Sequence, residues 1–245
     1  MGAVPGSLDT DRQPPMTIPL RHFVLGLGFL VVGLAIGFGM SVGIAPGWTT
    51  LAHVHLLLIG WICLTIMGAM TQFIPVWSGV SLYSRRLAAV QLWPIVVGLG
   101  GFAISLLMAS LEWLLVFGTV ILAGFWVFVY NIGRTLWQVA DYDVTERHFA
   151  VALGFFLVLT ILGYALAVDL LWPVFGEIPI ARENVVDAHA TVAVFGAVLT
   201  TVLGALYQLG TMFTQTELHR IDTVLQRVEE TAYPVGVVLL AAGRL

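Results

Sequence analysis

The sequence predicts an all-α fold: a polytopic transmembrane helix bundle of about 6–7 spans, built on an internally duplicated four-helix-type unit. Three observations carry this. Of the 245 residues, 59% are hydrophobic and only 10% charged, with a mean hydropathy of +0.98, a composition of the membrane class. Apolar runs of about 20 residues, long enough to cross a hydrocarbon core, recur along the chain. The chain also repeats itself. Shifting the numbering by 136 lays His53, Gly60, Thr65, Gly68, Ala69 and Gln72 on His189, Gly196, Thr201, Gly204, Ala205 and Gln208, the mark of a duplication.

A second match precedes the first. Arg21-His22-Phe23 with Gly28-Phe29 recurs at an offset of 126 as Arg147-His148-Phe149 with Gly154-Phe155. The repeat units are therefore placed at about 21–134 and 147–245, forming one transmembrane domain after a leader over residues 1–20. That leader is polar, rich in Pro and Gly, and lacks the charged-then-apolar order of a signal peptide, so it is expected to be disordered.

Taken in order, six spans run roughly from His22 to Val42, Thr50 to Pro75, Leu87 to Ala109, Trp113 to Gly133, Phe149 to Leu171 and Asp187 to Met212. Between Leu218 and Val228, apolar residues at helical spacing among charges predict a short amphipathic helix on the membrane surface. The last apolar run, Ala232 to Leu245, is too short to cross, although Tyr233-Pro234 resembles the Trp93-Pro94 that opens the third span,. Arginine placement orients the bundle. With the N-terminus cytoplasmic, Arg12, Arg21, Arg85, Arg86, Arg134, Arg147, Arg220 and Arg227 share the inner side, and only Arg182 and Arg244 lie opposite,. The expected location is the cytoplasmic membrane, in contact with membrane lipid.

Composition also excludes. A formal charge of -4 is too small and scattered for a nucleic-acid partner,. The single Cys63 rules out a disulfide framework, a zinc-type cysteine pair and covalent haem attachment,. A cofactor would be held by His, Met or carboxylate.

Histidine in a span is costly and by default a candidate functional group. At 100° per residue, His53, Gly60 and Gly68 share one helix face, and His189, Gly196 and Gly204 reproduce it,. Two such strips facing each other would leave a flat slot with an imidazole on either side, which suits haem b better than a compact metal ion. The competing explanation is that the glycines permit close helix packing and the histidines hydrogen-bond across helices. His55 lies 200° from His53, on the opposite face, and the repeat pairs it with Thr191,. It is expected to hydrogen-bond a neighbouring helix, with copper the weaker alternative. Arg182 is the candidate for neutralising a haem propionate, against a loop ion pair with Glu177 or Glu183. His22 and His148 are expected to anchor span ends, and His219 to be solvated.

These residues carry a resemblance. His53-x-His55, Gly60-Trp61, Met67-Gly68-Ala69 and Ile74-Pro75-x-Trp77-x-Gly79 resemble the second helix of the haem-copper oxidase subunit I superfamily, most of all its nitric oxide reductase and NnrS-like branches. Asp187-Ala188-His189-Ala190-Thr191-Val192 is similar to a later His-bearing helix of NnrS-like proteins. The resemblance covers about 55 residues and implies that His53 is an axial ligand of a b-type haem. It departs where the oxidases bind copper. Ala193 stands where their Tyr follows the copper-ligand His, no His-His pair occurs, and twelve spans are reduced to about six or seven. The resemblance therefore implies electron transfer or NO/O2 chemistry without a binuclear centre, in a homo-oligomer or beside a respiratory partner subunit. The alternative is a cofactor-free transporter or an assembly or scaffold subunit.

Overall fold

A computed structural model describes residues 13–177, 179–215 and 219–245. Seven long helices follow one another: α1 (Thr17–Ser41), α2 (Thr49–Trp77), α3 (Arg85–Leu107), α4 (Leu111–Leu136), α5 (Val144–Asp169), α6 (Arg182–Thr214) and α7 (Arg220–Ala242). The first six are long and apolar enough to cross a membrane. Helices are the expected solution for such segments, because each satisfies its own backbone hydrogen bonds without water. Sequence neighbours pack side by side, α1 on α2 through to α5 on α6, and α7 lies across α5 and α6.

Two boundaries differ from the sequence expectation. Residues 17–20 of the expected leader already belong to α1, and residues 1–12 lie outside the described residues. The amphipathic segment and the last apolar run form one continuous helix, α7; Glu217 and Leu218 lie outside the described residues. Polar clasps join α7 to the bundle at its middle and past its end. Midway along it Glu230 pairs with Arg147, and past its end Arg244 pairs with Asp187 at 3.1 Å.

Side chains close the turns at the arginine-rich end. Ser84 caps α3 by accepting from the Leu87 N–H at 3.2 Å, and the Asn131 amide clasps the Ser84 backbone from α4 at 3.0 and 3.1 Å,. Asp143 and Glu146 form a capping box at the start of α5, and Ser78, just past α2, donates to the buried Glu146 carboxylate at 2.5 Å,. Helix α3 breaks at Gln91, where Pro94 lacks the N–H that would have met Val90,.

The duplication is also local geometry. Helices α2 and α6 each contain a wider π-helical segment, Leu56–Cys63 and Val192–Leu199, at positions related by the offset of 136. Such segments are rare.

Candidate functional site

The two glycine strips each occupy one helix face, as their spacing predicts, but they do not face each other. Each meets the preceding helix of its own unit. A methyl group added at Gly60 would lie 2.5 Å from Phe29 Cβ, and one at Gly196 would lie 2.7 Å from Phe155 Cγ. At Gly68 and Gly204 it would meet the Cβ atoms of His22 and His148 at 2.9 and 2.7 Å. The strips are sockets for α1 and α5 side chains. The expected flat slot between them is therefore corrected: consecutive antiparallel helices joined by short turns take each other's faces first.

His53 follows the same rule. Its ring stacks over Gly37 of α1, where an added methyl would approach Cε1 to 2.7 Å, and its Nδ1–H donates to the Gly33 carbonyl at 2.8 Å. His189 repeats this on α5, with Gly163 beneath the ring at 2.9 Å and Nδ1–H donating to Leu159 at 3.0 Å. Gly33 and Gly37 become Leu159 and Gly163 at the offset of 126. A carbonyl only accepts, so Nδ1 carries the hydrogen and Nε2 of the neutral ring keeps its lone pair.

What separates the two histidines is their surroundings. A cavity of about 240 Å³ lies among α2, α4, α5 and α6, with Phe102 of α3 at its edge. His189 lines it; His53 does not. The imidazole that α2 contributes is His55, whose opposite facing was legible from the 200° rotation,. Its Nδ1–H donates to Leu51 of its own helix at 2.8 Å, not to a neighbouring helix as expected, and its ring lies 5.2 Å from that of Phe102. Among the described residues, Nε2 of His55 and Nε2 of His189 have no hydrogen-bond partner.

The remaining wall is almost wholly apolar. Gly118 and Gly163 leave room on α4 and α5, Phe125 forms part of the α4 wall, and Cys63 lies on the α2 side. Thr160 and Tyr164 are the other polar side chains on the wall. Each is engaged, accepting from Trp126 Nε1 and from Thr119 at 3.2 Å. Val54, Val186 and Val194 line the cavity while remaining 39%, 40% and 40% exposed, so it opens sideways between α2 and α6.

Arg182 lies two turns before His189, on the same side of α6,. It donates to the Asp169 carboxylate at 3.1 Å and to the Leu166 carbonyl at 3.1 Å. Its partner is neither Glu177 nor Glu183, and it does not line the cavity. Among the described residues no group of three or more His, Cys, Asp or Glu could hold a compact metal ion.

At the arginine-rich end the structure adds a network that sequence reasoning missed. His148, expected only to anchor a helix end, is buried; its Nδ1–H donates to Val144 at 2.7 Å and its Nε2 lies 3.2 Å from the Glu229 carboxylate. Tyr207 donates to the same carboxylate at 3.0 Å, and Arg147 grips Glu230 through two hydrogen bonds of 3.0 and 2.9 Å. Since Nδ1 already carries its hydrogen, the His148–Glu229 contact needs one further proton between them. The available signal was Tyr207, which replaces Thr71 at the offset of 136 within an otherwise matching stretch. His219 is exposed, as expected. No family model, no curated protein and no solved structure matches this chain.

Proposed function

We propose that the chain is a multi-pass protein of the cytoplasmic membrane, N-terminus inside, that holds a b-type haem between α2 and α6 and transfers electrons. His55 and His189 would hold its iron. One observation carries the proposal: imidazoles from two different helices line one apolar cavity, each pinned through Nδ1–H to a backbone carbonyl with an unpaired Nε2. A ligating histidine is usually held this way, because the second hydrogen bond fixes its tautomer and orientation.

The donor set fits the group. Two neutral nitrogen donors and a dry wall suit haem iron, whose potential is set by its ligands and their surroundings. The cavity is small for a cofactor pocket, so its open side between α2 and α6 is the part that must accommodate the macrocycle. When bound, the haem would supply one-electron chemistry. The protein's part would be to fix both imidazoles and to exclude water through the α4 and α5 walls.

Visible spectra of detergent-purified protein, oxidised and dithionite-reduced, test this directly. The expected result is a reduced b-type spectrum in the wild type that is lost in His55→Ala and in His189→Ala but kept in His53→Ala. Loss in His53→Ala with retention in His55→Ala would return the ligand to the position the family resemblance implies. A colourless wild type from haem-replete cells would favour the second reading, a cofactor-free transporter or scaffold. That reading has its own support: protein side chains fill the four glycine sockets.

A further inference from the structure

The two units differ most at their arginine-rich ends. In the second unit His148, Tyr207 and Glu229 satisfy one another. In the first unit the equivalent residues are His22 and Thr71, each fully buried, with Gln72 6% exposed beside Thr71. His22 Nδ1–H donates to Ile18 at 2.9 Å, which leaves Nε2 as an acceptor,. His22 Nε2, Thr71 Oγ1 and Gln72 Oε1 are buried without a partner among the described residues. So are both amide atoms of Gln91, a fully buried residue at the break in α3.

These groups belong to one layer of the bundle. His22 Cβ abuts Gly68, and Thr71 and Gln72 follow Gly68 by one turn of α2,. Leu99 of α3 abuts Gly60, within 3.0 Å of an added methyl. Helix α3 runs antiparallel to α2, so Gln91, eight residues before Leu99, reaches the level of Gly68.

Buried polar atoms left unpaired are expensive, and a native fold rarely keeps five of them in one layer. The set mixes acceptors (His22 Nε2, Gln72 Oε1, Gln91 Oε1) with donors (the Thr71 hydroxyl and the Gln91 amide). It contains no carboxylate to hold a cation and no charged donor to hold an anion. We infer that His22, Thr71, Gln72 and Gln91 form a site for ordered internal water, occupying in the first unit the place that Glu229 and Tyr207 fill in the second. Water both donates and accepts, and buried waters make about three hydrogen bonds to such groups. The site is independent of the haem proposal.

Radiolytic hydroxyl labelling of the full-length protein in detergent, after exchange into oxygen-18 water, reads such a site, because radicals formed from bound water mark the side chains beside it. Met67 is the reporter, since it is fully buried and one turn from Thr71; Phe156 is the dry control, fully buried on α5. The expected result is labelling of Met67, normalised for intrinsic reactivity, several-fold above Phe156, and a several-fold loss of that label in His22→Phe. Equal labelling of the two residues, or a Met67 label unchanged in a folded His22→Phe, would overturn the site. If His22→Phe does not fold, the isosteric Thr71→Val decides. In a dry site, removing an unpaired hydroxyl raises the thermal midpoint. With water bound, the midpoint falls by about 2–4 °C per kcal/mol lost.

Discussion

His53 and His189 are copies, yet only one of them borders a cavity. Both stack over a glycine of the preceding helix, and both donate Nδ1–H to its carbonyl. The difference lies in what covers the copied pair. The α5–α6 pair is enclosed by α2 and α4 of the first unit, whereas α1 presents most of its surface outward: 11% of its apolar window is buried against 44% for α5. Duplication thus reproduced local packing faithfully, and position in the bundle decided which copy borders the cavity. The arginine-rich ends teach the same lesson. One unit closes its histidine with a carboxylate; the other leaves the Nε2 of its histidine without a partner among the described residues.

The sharpest way to break this comparison is to fill the sockets. Gly60→Ala and Gly196→Ala both set a methyl against the root of a phenylalanine side chain, so each should cost about 1–3 kcal/mol or more through overpacking. Thermal unfolding followed by circular dichroism checks it. Comparable losses would support equivalent sockets, and tolerance of one alone would show that the units pack differently.

A smaller effect is expected from the second unit's carboxylate. Glu229→Leu removes the partner of both His148 and Tyr207 and should destabilise by about 1–3 kcal/mol, the cost of orphaning buried polar groups. Glu229→Gln can still hydrogen-bond His148 and should cost less. Equal costs for the two variants would mean that Glu229 acts by packing alone. On a similar scale, Arg182→Gln should cost about 1–3 kcal/mol, since it leaves the Asp169 carboxylate, only 6% exposed, without its charged partner,. It should leave any cavity-bound chromophore in place, because Arg182 does not line the cavity. Least of all, Arg244→Ala should stay within about 0.5 kcal/mol, both partners of that pair being exposed,.

Much of this was legible from the chain. The offsets of 136 and 126 predict which α2 residues correspond to which α6 residues, and the structure reproduces them in hydrogen bonds and glycine contacts. Helical rotation already put His53, Gly60 and Gly68 on one face and His55 on another. Three things were hidden. The strip's partner depends on which helix lies against it, and single-helix periodicity carries no such information. Helix α7 was divided at the sequence level because its first half is charged and its second apolar, a contrast that tertiary packing on α5 and α6 overrides. The His148–Glu229 contact joins residues 81 apart, beyond any local pattern.

Hydrophobic length and the repeat are properties of the chain read along itself, and they determined the six apolar helices and which residues of one unit correspond to which of the other. Helix formation in an apolar solvent is local, since every backbone group is satisfied four or five residues away. Which imidazole borders the cavity was decided only when the two units packed together, and which glycine receives which phenyl ring and which histidine meets a carboxylate only when the helices within each unit packed. Those outcomes depend on side chains from helices distant in sequence sharing one volume, where the faces already used by a neighbour are no longer free.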